Sequence, residues 1–264
     1  MRKRGVLLAK TLLLGVFCLV LVFCATTESQ KAKENENDPQ YQYQKAMVAL
    51  KYDFKDEAVK YLNQAVSLDP QHFQSLKLLG LLYFEKGNLK QAIEAYQKCL
   101  EIKPDLAEAH NELGRIYWEA GQSEKAEEEF KKAVALDGNA SASYNLADMY
   151  FKQEKLELAL DYIQKCLLKK EEWAKAYNLQ GVILNKMGRF SEAIESFKKA
   201  VQIAANEADE AVYSLNLSVA YINNKEYDKA QSLLENLLPQ VKDEKIKAKI
   251  TEYLKMIRNR RPLR

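Results

Sequence analysis

From residue 39 onward the apolar positions fall in short helical stretches that recur with a fixed period. Ser75–Gly87 (SLKLLGLLYFEKG) aligns with Ala109–Gly121 (AHNELGRIYWEAG) at an offset of 34 residues. Leu79, Gly80, Tyr83 and Gly87 then match Leu113, Gly114, Tyr117 and Gly121. Beyond the turn, Ala92 and Tyr96 match Ala126 and Phe130, and Pro104 matches Gly138. Six copies can be laid out, over 39–72, 73–106, 107–139, 140–173, 174–210 and 211–244. Position 20 is Ala in all six: Ala58, Ala92, Ala126, Ala159, Ala193 and Ala230. Position 8 is always small: Ala46, Gly80, Gly114, Ala147, Gly181 and Ser218. Each copy reads as two helices, A and B, joined near position 15, where Gly87, Gly121 and Gly188 can end helix A in a left-handed conformation. Small residues at 8 and 20 let the two helices approach. Bulky residues at 11 and 24 fill the space beside that contact. One hairpin leaves an apolar face open, so the copies must stack.

Two irregularities interrupt the period. The fourth copy has Leu167–Glu172 (LLKKEE) in place of a proline turn. Three extra residues lie within Ile203–Glu210, where the stack is expected to bend or loosen. After the sixth copy, Ile246, Ile250, Leu254 and Ile257 predict a last amphipathic helix over 245–259 that caps the open end. A basic tail, 260–264, follows.

The first 38 residues follow a different pattern. Arg2-Lys3-Arg4 precedes the apolar run Leu12–Ala25, which stops at Thr26-Thr27-Glu28. This predicts an export signal or membrane anchor over 1–24 and a polar tether over 25–38. The apolar run is short beside the about 20 residues of a spanning helix. Leu21-Val22-Phe23-Cys24 resembles a bacterial lipobox, which implies a lipidated Cys24. Phe23 departs from it, since that family carries a small residue there. Lipidated and signal-anchored forms both stay open.

Composition narrows the function. Hydrophobic residues make up 47% and charged ones 29%, as in a folded body, and nine Gly and five Pro are too few for an all-β fold. The formal charge is +3, of which Arg2, Lys3, Arg4 and Lys10 supply four, leaving the rest at −1. So balanced a body has no electrostatic reason to bind nucleic acid. His110 lacks the second histidine of a zinc motif, and no phosphate-binding loop occurs. Ser196 and Lys199 match S-x-x-K in spacing, but inside a helix around the core position Phe197. Glu127–Glu129 read as the wet face of a helix. The sequence therefore predicts no catalytic residues, no metal, no cofactor and no small-molecule substrate. Cys99 and Cys166 both occupy position 27, where Ala is the rule, two copies apart. They read as small buried residues and not as a disulfide.

The copies resemble the tetratricopeptide repeat, with its small residue at 8, Tyr at 11, Ala at 20, aromatic at 24 and Pro at 32. That resemblance implies an all-α, right-handed α-solenoid whose A helices line a concave groove for protein segments. Groove positions 2, 5, 6, 9, 12 and 13 hold Phe84, Trp118 and Phe151, with Tyr144, Asn111, Arg115, Asn145, Asp148 and Asn178 beside them. Tyr43, Met47, Leu81 and Asn185 stand on the same face. An extended peptide or an amphipathic helix would fit such a groove; packing of the rings between helices is the alternative. The carboxylate clamp of some tetratricopeptide domains is matched only at Asn145 and Lys175, among Asn111, Arg115, Asn145, Lys175 and Leu179. A signal plus six repeats also resembles the type IV pilus pilotin lipoproteins. That implies a periplasm-facing, outer-membrane protein that assists secretin assembly. Other envelope scaffolds, for polysaccharide export or envelope assembly, and accessory subunits of enzymes share the architecture.

Overall fold

The structure, a computed structural model, describes residues 36–260, which contain thirteen α-helices and no strand. The expected signal, the tether to residue 35, Cys24 and the tail after Arg260 lie outside the described residues. None of the described helices is long and apolar enough to cross a membrane. The chain divides after Pro104 into two compact bodies.

The first body holds two hairpins: α1 (Pro39–Lys51) with α2 (Lys55–Leu68), and α3 (Phe73–Glu85) with α4 (Leu89–Ile102). Helix α2 packs on α3. The second body holds four hairpins: α5 (Ala107–Glu119) with α6 (Ser123–Asp137), α7 (Ala140–Lys152) with α8 (Leu156–Lys169), α9 (Ala174–Lys186) with α10 (Phe190–Gln202), and α11 (Glu207–Asn223) with α12 (Tyr227–Leu237). Each B helix there packs on the next A helix, and the A helices also touch in sequence, α5 to α7 to α9 to α11. Helix α13 (Glu244–Arg260) lies on α11 and α12, with Ile250, Leu254 and Ile257 turned inward.

The six alanines of position 20 are fully buried, and position 24 is bulky and buried in every hairpin: Leu62, Tyr96, Phe130, Ile163, Phe197 and Leu234. Where position 8 is glycine, the ring at position 24 occupies the space of the missing Cβ. A Cβ on Gly80, Gly114 or Gly181 would lie 2.6–2.7 Å from the ring of Tyr96, Phe130 or Phe197. Cys99 and Cys166 are free, fully buried thiols. Burial pushes their ionisation up to about 11 and about 12.

All six A–B turns share one backbone design. The N–H of position 15 bonds the carbonyl of position 12, and that of position 16 bonds position 11, as in Gly121 to Trp118 (3.0 Å) and Gln122 to Tyr117 (2.8 Å). Position 15 has a positive φ throughout. Besides the three glycines, Asp53, Glu154 and Lys225 adopt it at 61–63°. The left-handed turn read from three glycines therefore extends to the three hairpins that lack glycine there. Two hydrogen bonds fix the backbone whichever side chain is attached.

The extra residues before the sixth hairpin do not open a loop. They lengthen α11, which starts at Glu207 and runs 17 residues, against 13 for each other A helix. Asn206 caps it by accepting from the Asp209 N–H at 2.9 Å.

Two acidic residues depart from the expected wet face. Glu128 is exposed, but Glu129 is buried and its Oε2 lies 2.6 Å from His110 Nδ1 on the facing helix. Lys132 also donates to it, at 2.9 Å. Glu127 is half-buried and accepts from the Tyr150 hydroxyl at 2.8 Å and from Lys131 at 2.6 Å. Position 23 turns back toward helix A, so a carboxylate there needs a buried partner.

Candidate partner-binding face

In the second body the neighbouring A helices bring position 5 of one hairpin against position 6 of the next, and position 12 against position 13. The first register makes amide pairs. Asn145 Nδ2 donates to Asn111 Oδ1 at 2.9 Å, and Asn216 Nδ2 donates to Asn178 Oδ1 at 2.8 Å. The second register gives Asn223 donating to Asn185 at 3.1 Å, and it places lysines over rings. Lys152 Nζ lies 5.9 Å from the Trp118 ring centre, and Lys186 Nζ lies 5.3 Å from that of Phe151.

Trp118 and Phe151 are half-buried, so neither ring is a closed core element. Their lysines are held by acids: Lys152 by Asp148 at 2.7 Å, and Lys186 by Glu154 at 2.5 Å. Arg115 is exposed and donates to Glu112 at 2.6 Å. Tyr144 stacks on Trp173 with ring centres 4.9 Å apart, and burial pushes its phenol up to about 12. Asn111 is buried and its Nδ2 also donates to Glu112 Oε1 at 3.0 Å, so it positions Asn145 and is closed to a partner. The half-buried Asn145 and Asn216 each use one N–H in their pair and keep a second for an incoming backbone. The second body thus combines half-open aromatic surface with amides and paired charges.

Phe84 belongs to the first body, where it is half-buried on α3 beside exposed Leu81. Met47 is exposed on α1, and Tyr43 packs on His72, ring centres 5.7 Å apart. Sequence reasoning missed Lys152, Lys186, Trp173, Asn216 and Asn223. The offset from position 12 to position 13 of the next copy would have found the lysines. Ser196 donates to Gln180 Oε1 at 2.9 Å and to the Glu192 carbonyl at 3.1 Å, which places its hydroxyl in packing between α9 and α10. Among the described residues no group of three or more His, Cys, Asp or Glu is placed to hold a metal.

Repeats of this design define a class. Residues 39–72 and 107–140 match family models described as tetratricopeptide repeat, and residues 80–121 match one described as TPR repeat. Residues 141–252 match the tetratricopeptide repeat protein 21 C-terminal ARM domain. The chain carries tetratricopeptide repeats, and its fold is the all-α solenoid of that class. It is similar to human tetratricopeptide repeat protein 21A, with 28% identity over 108 residues, 40% of this chain and 8% of that protein. The chain spans between 8% and 28% of the length of the curated relatives it matches. Among solved structures, PilF of Pseudomonas aeruginosa is similar with a TM-score of 0.68 at 18% identity, covering 83% of this chain and 99% of that one. PilW, described as a widely conserved type IV pilus biogenesis factor, is similar with a TM-score of 0.63 at 20% identity, covering 83% and 97%.

Proposed function

We propose that this chain is a non-catalytic scaffold of the bacterial cell envelope that grips protein segments on its A-helix face. It is held at the outer membrane through its N-terminus, with Cys24 as the lipidated residue, and it faces the periplasm. Its work is to assist assembly of a type IV pilus or its secretin. The observation that carries the binding role is the pair of half-buried rings, Trp118 and Phe151, each with a lysine over it, on a face edged by amide pairs. Aromatic surface of this kind supplies most of the energy in protein recognition, and losing one such anchor costs about 2 kcal/mol or more. The pilus assignment is supported by similarity along nearly the full length of PilF and PilW. Phe84, half-buried beside exposed Leu81, offers apolar surface on the first body.

The test is recovery of partners from envelope extracts by the tagged full chain. Secretin or pilus components should co-purify, with yield falling at least tenfold for Trp118→Ala. Equal recovery by the variant would remove the face from the binding site, and recovery of another export system would move the chain to that system. Labelled palmitate should enter the parent chain and not Cys24→Ser.

A further inference from the structure

The first hairpin differs from the other five at its turn. Position 16 is Asn88, Gln122, Lys155, Arg189 and Glu226 in the later hairpins, but Phe54 in the first. Position 14 is Tyr52, against Lys86, Ala120, Gln153, Met187 and Asn224. All six turns make the same two backbone hydrogen bonds, so the turn itself has no need of aromatic residues. Yet Tyr52 is 63% and Phe54 59% exposed. Val48, at position 10, is 58% exposed, whereas Leu82, Ile116, Met149, Ile183 and Ala220 at that position are all buried. With Tyr41 and Tyr61 these residues line an open cleft of about 520 Å³. So much apolar surface at one tip marks a contact.

We propose that this tip docks on a lipid bilayer at headgroup level, with Tyr52 and Phe54 entering the interface. The covering partner follows from where the chain arrives. Thirty-five residues precede Glu36, whose carbonyl accepts from Gln42 Nε2 at 2.7 Å and whose carboxylate pairs with Lys45 at 3.1 Å, beside the cleft. Only residues 26–35 separate Glu36 from the apolar run that ends at Ala25. Fully extended, that stretch reaches about 36 Å. A membrane that holds the lipid on Cys24, next to Ala25, therefore keeps this hairpin near its surface. The local chemistry agrees. Lys51-Tyr52-Asp53-Phe54-Lys55 sets two rings between charged residues, and zwitterionic headgroups offer a phosphate to Lys51 and an ammonium to Asp53. Aromatic rings and lysine stems both favour that boundary. The inference rests on the N-terminal anchoring proposed above.

The test uses the full chain in phosphatidylcholine vesicles whose acyl chains carry bromine, a short-range fluorescence quencher. Phe54→Trp places a reporter at the tip, and Asn88→Trp places one at the equivalent turn of the second hairpin. The parent spectrum, from Trp118 and Trp173, is subtracted. Bromolipid should quench Phe54→Trp at least twofold and leave Asn88→Trp unchanged. If the protein floats with the vesicles and both reporters are quenched equally little, the docking inference falls while the anchor stands. If the protein does not float with them, the anchoring reading falls and takes this inference with it. A chain that floats but has a shielded, unquenched reporter and doubled mass gives the tip to a second copy, and also overturns the proposal.

Discussion

Gly114 and Phe130 are fitted to each other: a Cβ on the glycine would lie 2.7 Å from Cδ1 of the ring. The same relationship joins Gly80 to Tyr96 and Gly181 to Phe197. The other three hairpins have Ala46, Ala147 or Ser218 at position 8, and there position 24 is Leu62, Ile163 or Leu234. Glycine accompanies an aromatic ring, and a residue with a Cβ accompanies an aliphatic side chain. Gly114→Ala should therefore destabilise the protein by about 1–3 kcal/mol through overpacking. Phe130→Leu alone should also destabilise, by opening a cavity. The double variant rebuilds the pairing of the other hairpins, so it should be more stable than the sum of the single effects requires. A double-mutant cycle from urea denaturation measures that coupling. Additive effects would refute the pairing.

The turn positions predict a stabilising change. Lys225 is exposed and held at a φ of 63°, a conformation that costs a side-chain-bearing residue about 1–2 kcal/mol. Glycine loses more freedom on folding, about 0.5–1 kcal/mol. Lys225→Gly should therefore raise stability slightly, by up to about 1 kcal/mol. Gly121→Ala should lower it. Nothing lies within 4 Å of the Cβ that the alanine would add, so its cost is conformational alone. Thermal unfolding of the two variants should move in opposite directions.

Much of this fold was legible because close backbone approach admits few residue types. Alanine at position 20 and small residues at position 8 mark that approach in every copy. The cysteines could be placed by position alone, since Cys99 and Cys166 fill a slot where Ala65, Ala133 and Ala200 are equally buried. Glu129 was not legible. A glutamate looks the same in sequence whether wet or buried, and its partner His110 lies nineteen residues earlier on another helix. The division after Pro104 was equally hidden, because the 34-residue period runs through it unchanged. On the candidate face, the aromatic positions could be read from the repeat, but the lysines over Trp118 and Phe151 arise from contacts between successive copies. A pattern read within one copy does not contain them.

The buried pair gives a sharp contrast between adjacent glutamates. Glu129→Ala removes the acceptor facing His110 Nδ1 and one partner of Lys132, and should cost about 1–3 kcal/mol. Glu129→Gln keeps an acceptor and should recover part of that loss. Glu128→Ala, on the exposed side, should stay within about 0.5 kcal/mol of the parent. Denaturation midpoints of the three variants check the ranking. Equal effects at 128 and 129 would mean that the His110 contact adds nothing.

The buried acids predict loss of stability in alkali. Burial pushes Cys99 from an ordinary 9.0 up to about 11 and Cys166 up to about 12. Tyr150 rises from 10.0 to about 12, first through burial and then through its bond to Glu127, and Tyr144 rises to about 12 through burial and the nearby Asp148. In each case the folded value exceeds the unfolded one. Between about pH 9 and pH 12 the unfolded chain releases protons that the folded chain retains, so rising pH favours unfolding. Below pH 9 these groups are protonated in both states and contribute no slope. Each group within its window adds a slope of about 1.4 kcal/mol per pH unit. Urea midpoints should therefore be flat from pH 7 to 8.5 and fall steeply above pH 10. Tyr150→Phe removes one of the four groups and should make the fall shallower. A thiol reagent supplies the companion measurement at pH 8. Cys99 and Cys166 should react only as fast as the protein unfolds, and in denaturant they should react at once. Immediate reaction of the native protein would mean that position 27 is open to solvent, and the alkaline slope would then have to come from elsewhere.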